Sequence, residues 1–361
     1  SRNVRPAQWD DVQGSGRADG YVKETNLAPS TLQIRAGKDI TVKGDIGNVD
    51  KLNVVVLDAR ENVTTKDITS AGYTKVRAGY DPATNKMEAK LVDGRALTAD
   101  ATVGTIHAGE YAQDGRKDLA HYGDWADVQA LNDVVAESIT AGTYGQVIAG
   151  NDATVNGKLL VNTNNGDNIY GAAIVAGHDI TVKDTITAEK NYVVVRAGHD
   201  ITVKAIQAEG LVQVASTGGS GAADGGRVTL EGQVESNAAD GTTRTAVSVG
   251  TNGLFVNKAG KDAIETRNGS WQVYSAGPTE DMIRETGTLA SGNLAIWNHG
   301  FTDAQGHMQY LAPSGNRYIF REQPVLTITP NDASKVYGET STGNGYQWSL
   351  PDYKEYVQAF K

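Results

Sequence analysis

The sequence predicts an all-β protein, a right-handed parallel β-helix (a solenoid) with coils of about 21 residues. Nearly identical sequence segments, here called words, recur in the chain, and each predicts a strand, a polar turn and a second strand. Gly177 and Gly198 occupy the same place in two of these words and lie 21 positions apart. Repeats of this length and pattern are typical of solenoids. The words are IRAGKDITVKGDI at 34–46, IVAGHDITVKDTI at 174–186, YVVVRAGHDITVKAIQ at 192–207 and a looser copy, IAGNDATVNGKL, at 148–159.

Alternation within each word predicts how the coils stack. Side chains of a strand point alternately to its two faces, so Ile201 and Val203 point inward while their polar neighbours face water. Coils about 4.8 Å apart pair their backbone groups with the coils above and below. Stacking the words in register places Ile180 over Ile201 and Val182 over Val203. Parallel crossovers are almost always right-handed, which sets the predicted hand of the helix.

The corner glycines are expected to meet a backbone requirement, either a positive φ or a close approach of two chains. Gly79 in VRAGYD repeats the corner of the later words. Arg60 stands at the equivalent place in VVVLDARENVTT, so we expect that coil to turn with a different geometry.

Composition excludes several classes of protein. The net charge of −10 argues against nucleic acid as a partner. The chain has no cysteine, which excludes disulfides and thiolate metal sites and suits a protein exported without oxidative folding. No stretch is apolar enough for a membrane span, and no signal peptide or initiator Met opens the chain. The sequence therefore predicts a piece of a longer secreted or cell-surface polypeptide, without a cofactor.

The order of patterns along the chain predicts four regions. Residues 1–30 form a lead-in or incomplete first coil, and residues 31–277 form the β-helix. An insertion at 110–145 interrupts the rhythm. Within it, the apolar residues of WADVQALNDVVAESI, at Trp125–Ile139, recur at spacings of three and four, which predicts a short amphipathic helix that covers a flank of the rod. A functional loop is the alternative.

The C-terminal part has a different character. Aromatic residues become frequent in residues 278–324, which we interpret as a segment that caps the open end of the solenoid. The run PVLTITPNDASKVYGE then begins a small β module over residues 325–361.

At this point the motifs resemble a known family. The words RAGHDITV and AGKDITVKGDI are similar to the repeats of filamentous haemagglutinin-like adhesins, exoproteins of two-partner secretion in Gram-negative bacteria. The stretches GSWQVYSAGPTED and GNRYIFREQPVLTITPNDASKVYGE resemble the place where such a β-helix passes into modules of the MBG or YDG type. The resemblance covers roughly residues 31–80 and 147–340. It implies a right-handed parallel β-helix, export through an outer-membrane barrel partner, and adhesion or biofilm formation.

Two departures from the family pattern limit what is carried over. The family's amino-terminal secretion domain is missing, and the module that follows Val325 stops at about half its usual length. The shared motifs are structural, so the resemblance supplies no binding residues.

Stacked His-Asp pairs are one candidate site. His178-Asp179 and His199-Asp200 would lie above one another in consecutive coils, as ligands of a divalent metal could. The alternative, which we favour, is that each Asp accepts backbone N–H bonds at its corner while each His faces solvent. Lys38 replaces His in the first copy, so no metal site is predicted.

Catalysis has little support in the sequence. Parallel β-helices also host polysaccharide-processing enzymes with carboxylates or a basic residue on one face. Asp45, Asp184 and Lys204 offer such groups, but they lie at repeat-related positions with ordinary solvated roles. No nucleophile motif is present, and the prediction is that the chain is not an enzyme.

Exposed aromatic residues near the C-terminal end are the candidate ligand-binding groups. Trp271, Trp297 and Tyr310 would stack on sugar rings or, alternatively, pack the end of the rod. The insertion at 110–145 and the loop at 216–227 are further places for a binding face. The predicted function is adhesion to an extracellular glycan or a host or bacterial receptor, as part of a large surface adhesin. A self-assembling extracellular filament and a polysaccharide-processing β-helix enzyme are the alternatives.

Overall fold

The structure is a computed structural model of the 361-residue chain. It describes residues 12–13, 30–47, 52–90, 94, 96–109, 125–162, 171–218, 226–238, 245–278, 289–311, 313–322, 327–330 and 346–349, with the backbone alone at 12–13, 30, 327–330 and 346–349. Every regular element in these ranges is a strand, which confirms the all-β class. None of the described residues forms a helix long and apolar enough to cross a membrane.

Two large sheets contain most of the strands. Sheet A has 15 strands and sheet B has 12, and nearly all of their pairings are parallel. The strands of sheet A are Val12–Gln13, Ile40–Val42, Ile46–Gly47, Val63–Thr64, Ile68–Ser70, Ala101–Ala108, Val134–Ala141, Ala153–Val155, Leu159–Val161, Ile180–Ala188, Ile201–Ala208, Val228–Leu230, Val234–Ser236, Phe255–Asn257 and Ile264–Thr266. Those of sheet B are Ser30–Ala36, Leu52–Ala59, Thr74–Ala78, Trp125–Ala130, Tyr144–Ala149, Ala172–Ala176, Val193–Ala197, Val212–Ser216, Thr245–Gly250, Ser270–Ser275, Ile296–Trp297 and Arg317–Phe320.

Two small antiparallel pairs complete the described strands. Tyr80–Asp81 pairs with Lys86–Met87, and Thr327–Pro330 pairs with Tyr346–Ser349. The second pair lies within the predicted C-terminal module, and the rest of that module falls outside the described residues.

The predicted stacking is confirmed where the repeated words are most alike. Ile180 pairs in parallel with Ile201, and Val182 with Val203. These partners are 21 positions apart, but elsewhere the offset ranges from 19 positions to 52. Chain segments of unequal length separate successive strands of a sheet, so the repeat is regular in space without being regular in sequence.

One apolar core lies between the two sheets and runs along them. Alternate Ile, Val and Ala side chains of both sheets form a single buried cluster. Ile201, Val203 and Ile206 of sheet A are fully buried, as are Val193 and Val195 of sheet B. Burial of this kind stabilises by about 25 cal/mol for each Å² of apolar surface removed from water, so the stacked apolar faces stabilise both sheets together. Parallel sheets packed about such a core fit a parallel β-solenoid.

Gly177 and Gly198 allow the backbones of stacked coils to approach each other closely. Neither Gly177 nor Gly198 has a positive φ. A Cβ at Gly198 would instead meet the carbonyl oxygen of Gly177 in the preceding coil, far inside the 3.0 Å that Cβ atoms keep from other atoms. At these two corners contact between stacked backbones is the reason that applies, whereas Gly79 has a positive φ of 88° and meets the other expectation.

Arg60 keeps the corner hydrogen bond that the glycines make. Its N–H donates to the carbonyl oxygen of Ala36 at 2.9 Å, as the N–H of Gly198 does to Ala176 at 3.1 Å. The guanidinium is buried and pairs with Asp81 at 3.4 Å. The expectation of a different corner is therefore wrong for the backbone hydrogen bond, and the larger side chain is accommodated by an ion pair.

The helix predicted at Trp125–Ile139 is wrong. Trp125–Ala130 is a strand of sheet B and Val134–Ala141 is a strand of sheet A, each in parallel register with its neighbours. Small inward side chains at every second position, Ala126 and Ala130 among them, are fully or almost fully buried. Most of residues 125–145 of the predicted insertion thus lie in strands of the two sheets, and residues 110–124 lie outside the described ranges.

Part of the predicted capping segment extends sheet B. Arg317–Phe320 pairs in parallel with Ser270–Ser275. Residues 298–311, here called the strap, lie against the outer face of the sheet. There the Phe301 ring occupies the space where a side chain of Gly250 would be, and packs on Tyr274 with ring centroids 5.2 Å apart. The strap therefore covers the end of that face.

Candidate functional site

A column of Asp and Asn side chains runs along one corner of the solenoid. In each coil a side-chain Oδ1 accepts the backbone N–H of the equivalent residue one coil on. Asp152 accepts from Asp179 at 3.0 Å, and Asp179 accepts from Asp200 at 2.8 Å. The column consists of Asp39, Asn62, Asp100, Asp133, Asp152, Asp179 and Asp200, and ends at the N–H of Arg227. The expectation that corner Asp residues accept backbone N–H bonds is confirmed.

The two predicted His residues do stack in this column. The rings of His178 and His199 are nearly parallel, with an interplanar angle of 8° and centroids 4.9 Å apart. Nδ1 of His178 lies 3.0 Å from Asp152, and Nδ1 of His199 lies 3.0 Å from Asp179. The hydrogen bond to Asp152 is the main reason that the pKa of His178 is raised. Both rings are about half exposed to solvent, as predicted.

A row of aromatic side chains lies along one edge of the outer face of sheet B. Tyr73 and Trp125 stack face to face with centroids 4.3 Å apart, and Trp125 is in register with Tyr144 of the next coil. Gly171 takes the equivalent place in the following coil, and Tyr192 takes it in the coil after that, where its carbonyl oxygen accepts the N–H of Ala172. All four rings are partly exposed. Four steps of about 4.8 Å give the row a length of about 19 Å.

A polar group lies beside this aromatic row. Asp127 is 6% exposed, although it is on the outer face of the sheet. Gln129 donates to both of its carboxylate oxygens, at 2.9 and 2.8 Å, and Lys75 lies 3.7 Å away. Burial raises the pKa of Asp127, and the two partners oppose that rise. Lys75 also lies over the Trp125 ring, 5.2 Å from its centroid, which joins the polar group to the aromatic row.

Burial also affects the tyrosine next to this group. It raises the pKa of Tyr144 to about 12, so this phenol is neutral and can donate a hydrogen bond at neutral pH. The surface formed by the aromatic row and the polar group therefore offers rings, an amide and a phenol, and the Asp127 carboxylate is buried beside them. That combination can pack on the apolar face of a sugar and hydrogen-bond its hydroxyls.

The structure separates the three predicted aromatic residues. Trp271 is 3% exposed and points into the core against the edge of Tyr318, so the expectation that it is exposed is wrong. Trp297 is partly buried and packs on Phe320, with centroids 4.7 Å apart. Tyr310 is 45% exposed and belongs to the strap. The three residues do not form one surface, because Trp271 lies between the sheets and Tyr310 on the outer face.

The residues considered for catalysis do not form a described site. Asp45 and Lys204 are exposed, and Asp184 accepts the N–H of Thr185 at 2.7 Å. Of the predicted binding loops, residues 110–124 and 219–225 lie outside the described ranges.

The sequence reading missed the aromatic row. Its signal is an aromatic residue at or just before the start of four sheet B strands, in GYTKV, DWADV, TYGQV and NYVVV. Assigning Trp125 to a helix removed it from that alignment. No family model, curated protein or solved structure matches this chain.

Proposed function

We propose that this chain is a rigid adhesive segment of a large bacterial surface adhesin, a right-handed β-helix with coils of about 21 residues. Its parent would be exported by two-partner secretion and would mediate attachment, aggregation or biofilm formation. The resemblance of its repeated words to the filamentous haemagglutinin-like family supports this reading. The continuous parallel ladder supports a mechanical role, because each coil is fixed to the next by backbone hydrogen bonds.

The partly exposed aromatic row is the observation that carries an adhesive role beyond that of a spacer. A solvent-facing sheet in a rod needs no aromatic residue at the same position of four coils out of five, and partly exposed apolar surface of this kind often marks a binding site. The ligand class that fits is a neutral or amino glycan. Aromatic rings pack on sugar rings, the partly exposed Gln129 side chain carries an amide oxygen that can accept a hydrogen bond from a hydroxyl, and the net charge of −10 disfavours acidic polymers.

A glycan array with the purified chain tests the proposal. Binding to a subset of neutral or amino glycans is expected, and the glycans that bind are then measured again by calorimetry. Tyr192→Ala and Trp125→Ala should weaken binding by about tenfold, since stacking contributes about 0.5–1.5 kcal/mol beyond the area buried. Tyr310→Ala is the matched control, because Tyr310 is an exposed aromatic residue outside the row.

Three results would contradict the proposal. The first is that the chain binds no glycan at all. The second is that the Tyr192 and Trp125 variants bind as tightly as the natural chain, and the third is that the Tyr310 control loses as much affinity as they do. Circular dichroism of each variant excludes loss of the fold as the cause. Fibres at micromolar concentration in sedimentation velocity would favour a self-assembling filament, and release of reducing sugar would favour a polysaccharide-processing enzyme.

A further inference from the structure

We propose that His178 and His199 form a binding site for one divalent transition-metal ion, with Cu²⁺, Ni²⁺ and Zn²⁺ as the class of ligand. This site lies in the corner column, apart from the aromatic row, and does not depend on the proposed function. The observation that carries it is the pair of parallel imidazoles, each held at Nδ1 by the carboxylate of the coil before it.

The hydrogen bonds fix which nitrogen is available. An ionised carboxylate only accepts hydrogen bonds, so Nδ1 of each neutral imidazole must carry the proton. Nε2 of His178 and of His199 then presents a lone pair. Metal-binding histidines are oriented in the same way, with one ring nitrogen donating to a carboxylate and the other binding the metal. Asp152 and Asp179 are therefore positioning residues for the two ligands.

The spacing of the two rings suits one shared ion. Bonds from zinc to imidazole nitrogen are about 2.0–2.1 Å long, so two nitrogens on one ion lie at most about 4.2 Å apart. The ring centroids of His178 and His199 are 4.9 Å apart, a little more than that limit. The Nε2 lone pair lies in the plane of its ring, so the two nearly parallel rings must tilt toward each other to direct both lone pairs at one ion. Both rings are about half exposed, so this tilt can take place on the solvent side.

The repeat limits the site to one position and supplies variants that preserve the column. Lys38 and Asn151 stand where His178 stands, in other coils. Asn151 Nδ2 donates to the carboxylate of Asp133 at 2.8 Å, the same hydrogen bond that His178 makes to Asp152. Changing either histidine to Asn therefore removes the imidazole while retaining its structural contact.

The experiment is a titration of the metal-free full chain with Cu²⁺ and with Zn²⁺ by calorimetry. One ion per chain is expected, with Cu²⁺ bound more tightly than Zn²⁺ and no comparable binding of Ca²⁺ or Mg²⁺. His178→Asn and His199→Asn should each weaken binding by at least about tenfold, because each removes the second ligand of a chelate. Electron paramagnetic resonance of the Cu²⁺ complex should show two equatorial imidazole nitrogens, and one in either variant.

His307 supplies a matched control. It is exposed and its Nδ1 lies 3.2 Å from Asp303, so it has the same kind of carboxylate partner as the stacked pair. Among the described residues no imidazole stacks on it. His307→Asn should leave the affinity unchanged. The proposal is overturned if both stacked-pair variants bind as tightly as the natural chain, if His307→Asn causes the same loss, or if Ca²⁺ competes equally, which would assign the ion to the Asp column alone.

Discussion

A substitution of Gly198 by Ala tests whether close stacking of corner backbones determines which residues the corners accept. A Cβ at this position would fall against the carbonyl oxygen of Gly177, so the two coils must separate locally. The hydrogen bonds at risk are those from Gly198 N–H to Ala176, 3.1 Å, and from His199 N–H to His178, 2.8 Å. Each contributes about 0.5–1.5 kcal/mol, and forcing extra atoms into a packed site costs about 1–3 kcal/mol. The expected loss of stability is about 2–6 kcal/mol.

Gly277→Ala is the matched control for this experiment. Gly277 has an ordinary φ, and a Cβ there would meet only a Glu322 side-chain oxygen at 3.9 Å. Its substitution should change stability by less than about 1 kcal/mol, and in the stabilising direction. Urea unfolding followed by circular dichroism measures both variants against the natural chain. A midpoint for Gly198→Ala within error of that for Gly277→Ala would refute the close-approach explanation.

Two further predictions concern the C-terminal end of sheet B. Phe301→Ala should destabilise the strap by about 3–5 kcal/mol, because the ring is 1% exposed and fills the space over Gly250. Hydrogen exchange should then rise in residues 298–311 while sheet A stays protected; an unchanged strap would contradict the packing argument. Burial raises the pKa of Tyr274 to about 12, so its neutral form contributes stability fully below pH 10, and this contribution is lost as the pH rises from about 10 to about 12. Spectrophotometric titrations of the natural chain and of Tyr274→Phe should differ by one phenol that ionises near pH 12. A difference near pH 10 instead would contradict the prediction.

The sequence was sufficient for the fold class and for register where words repeat. Ile180 and Ile201 stand in words that match over several residues, and a one-residue slip between identical words would turn all of their apolar side chains outward. The corner Asp residues followed from the same alignment. That each Asp accepts the N–H of the following coil, and not of its own, could not be predicted, because it depends on the distance between the two coils at the corner.

The failed helix prediction shows what the pattern concealed. Counting only Val128, Leu131 and the larger apolar residues after them gives a helical spacing, whereas the buried set also includes Ala126 and Ala130. Alanine is only weakly apolar and gives a weak signal in such a pattern, although the space between the sheets accepts small side chains at these positions. The alternation of inward and outward residues that is typical of a strand is therefore present in the sequence, and a corner at residues 131–133 interrupts it.

Functional side chains in this architecture form columns and not short motifs. Backbone pairing holds equivalent positions of successive coils about 4.8 Å apart, which is close enough for rings to stack and for two ligands to share an ion. The same spacing that places Ile201 over Ile180 places His199 over His178 and Trp125 against Tyr73. A residue type repeated at one position of the word is consequently the signal to seek in such a chain. By that criterion the aromatic row and the histidine pair stand out.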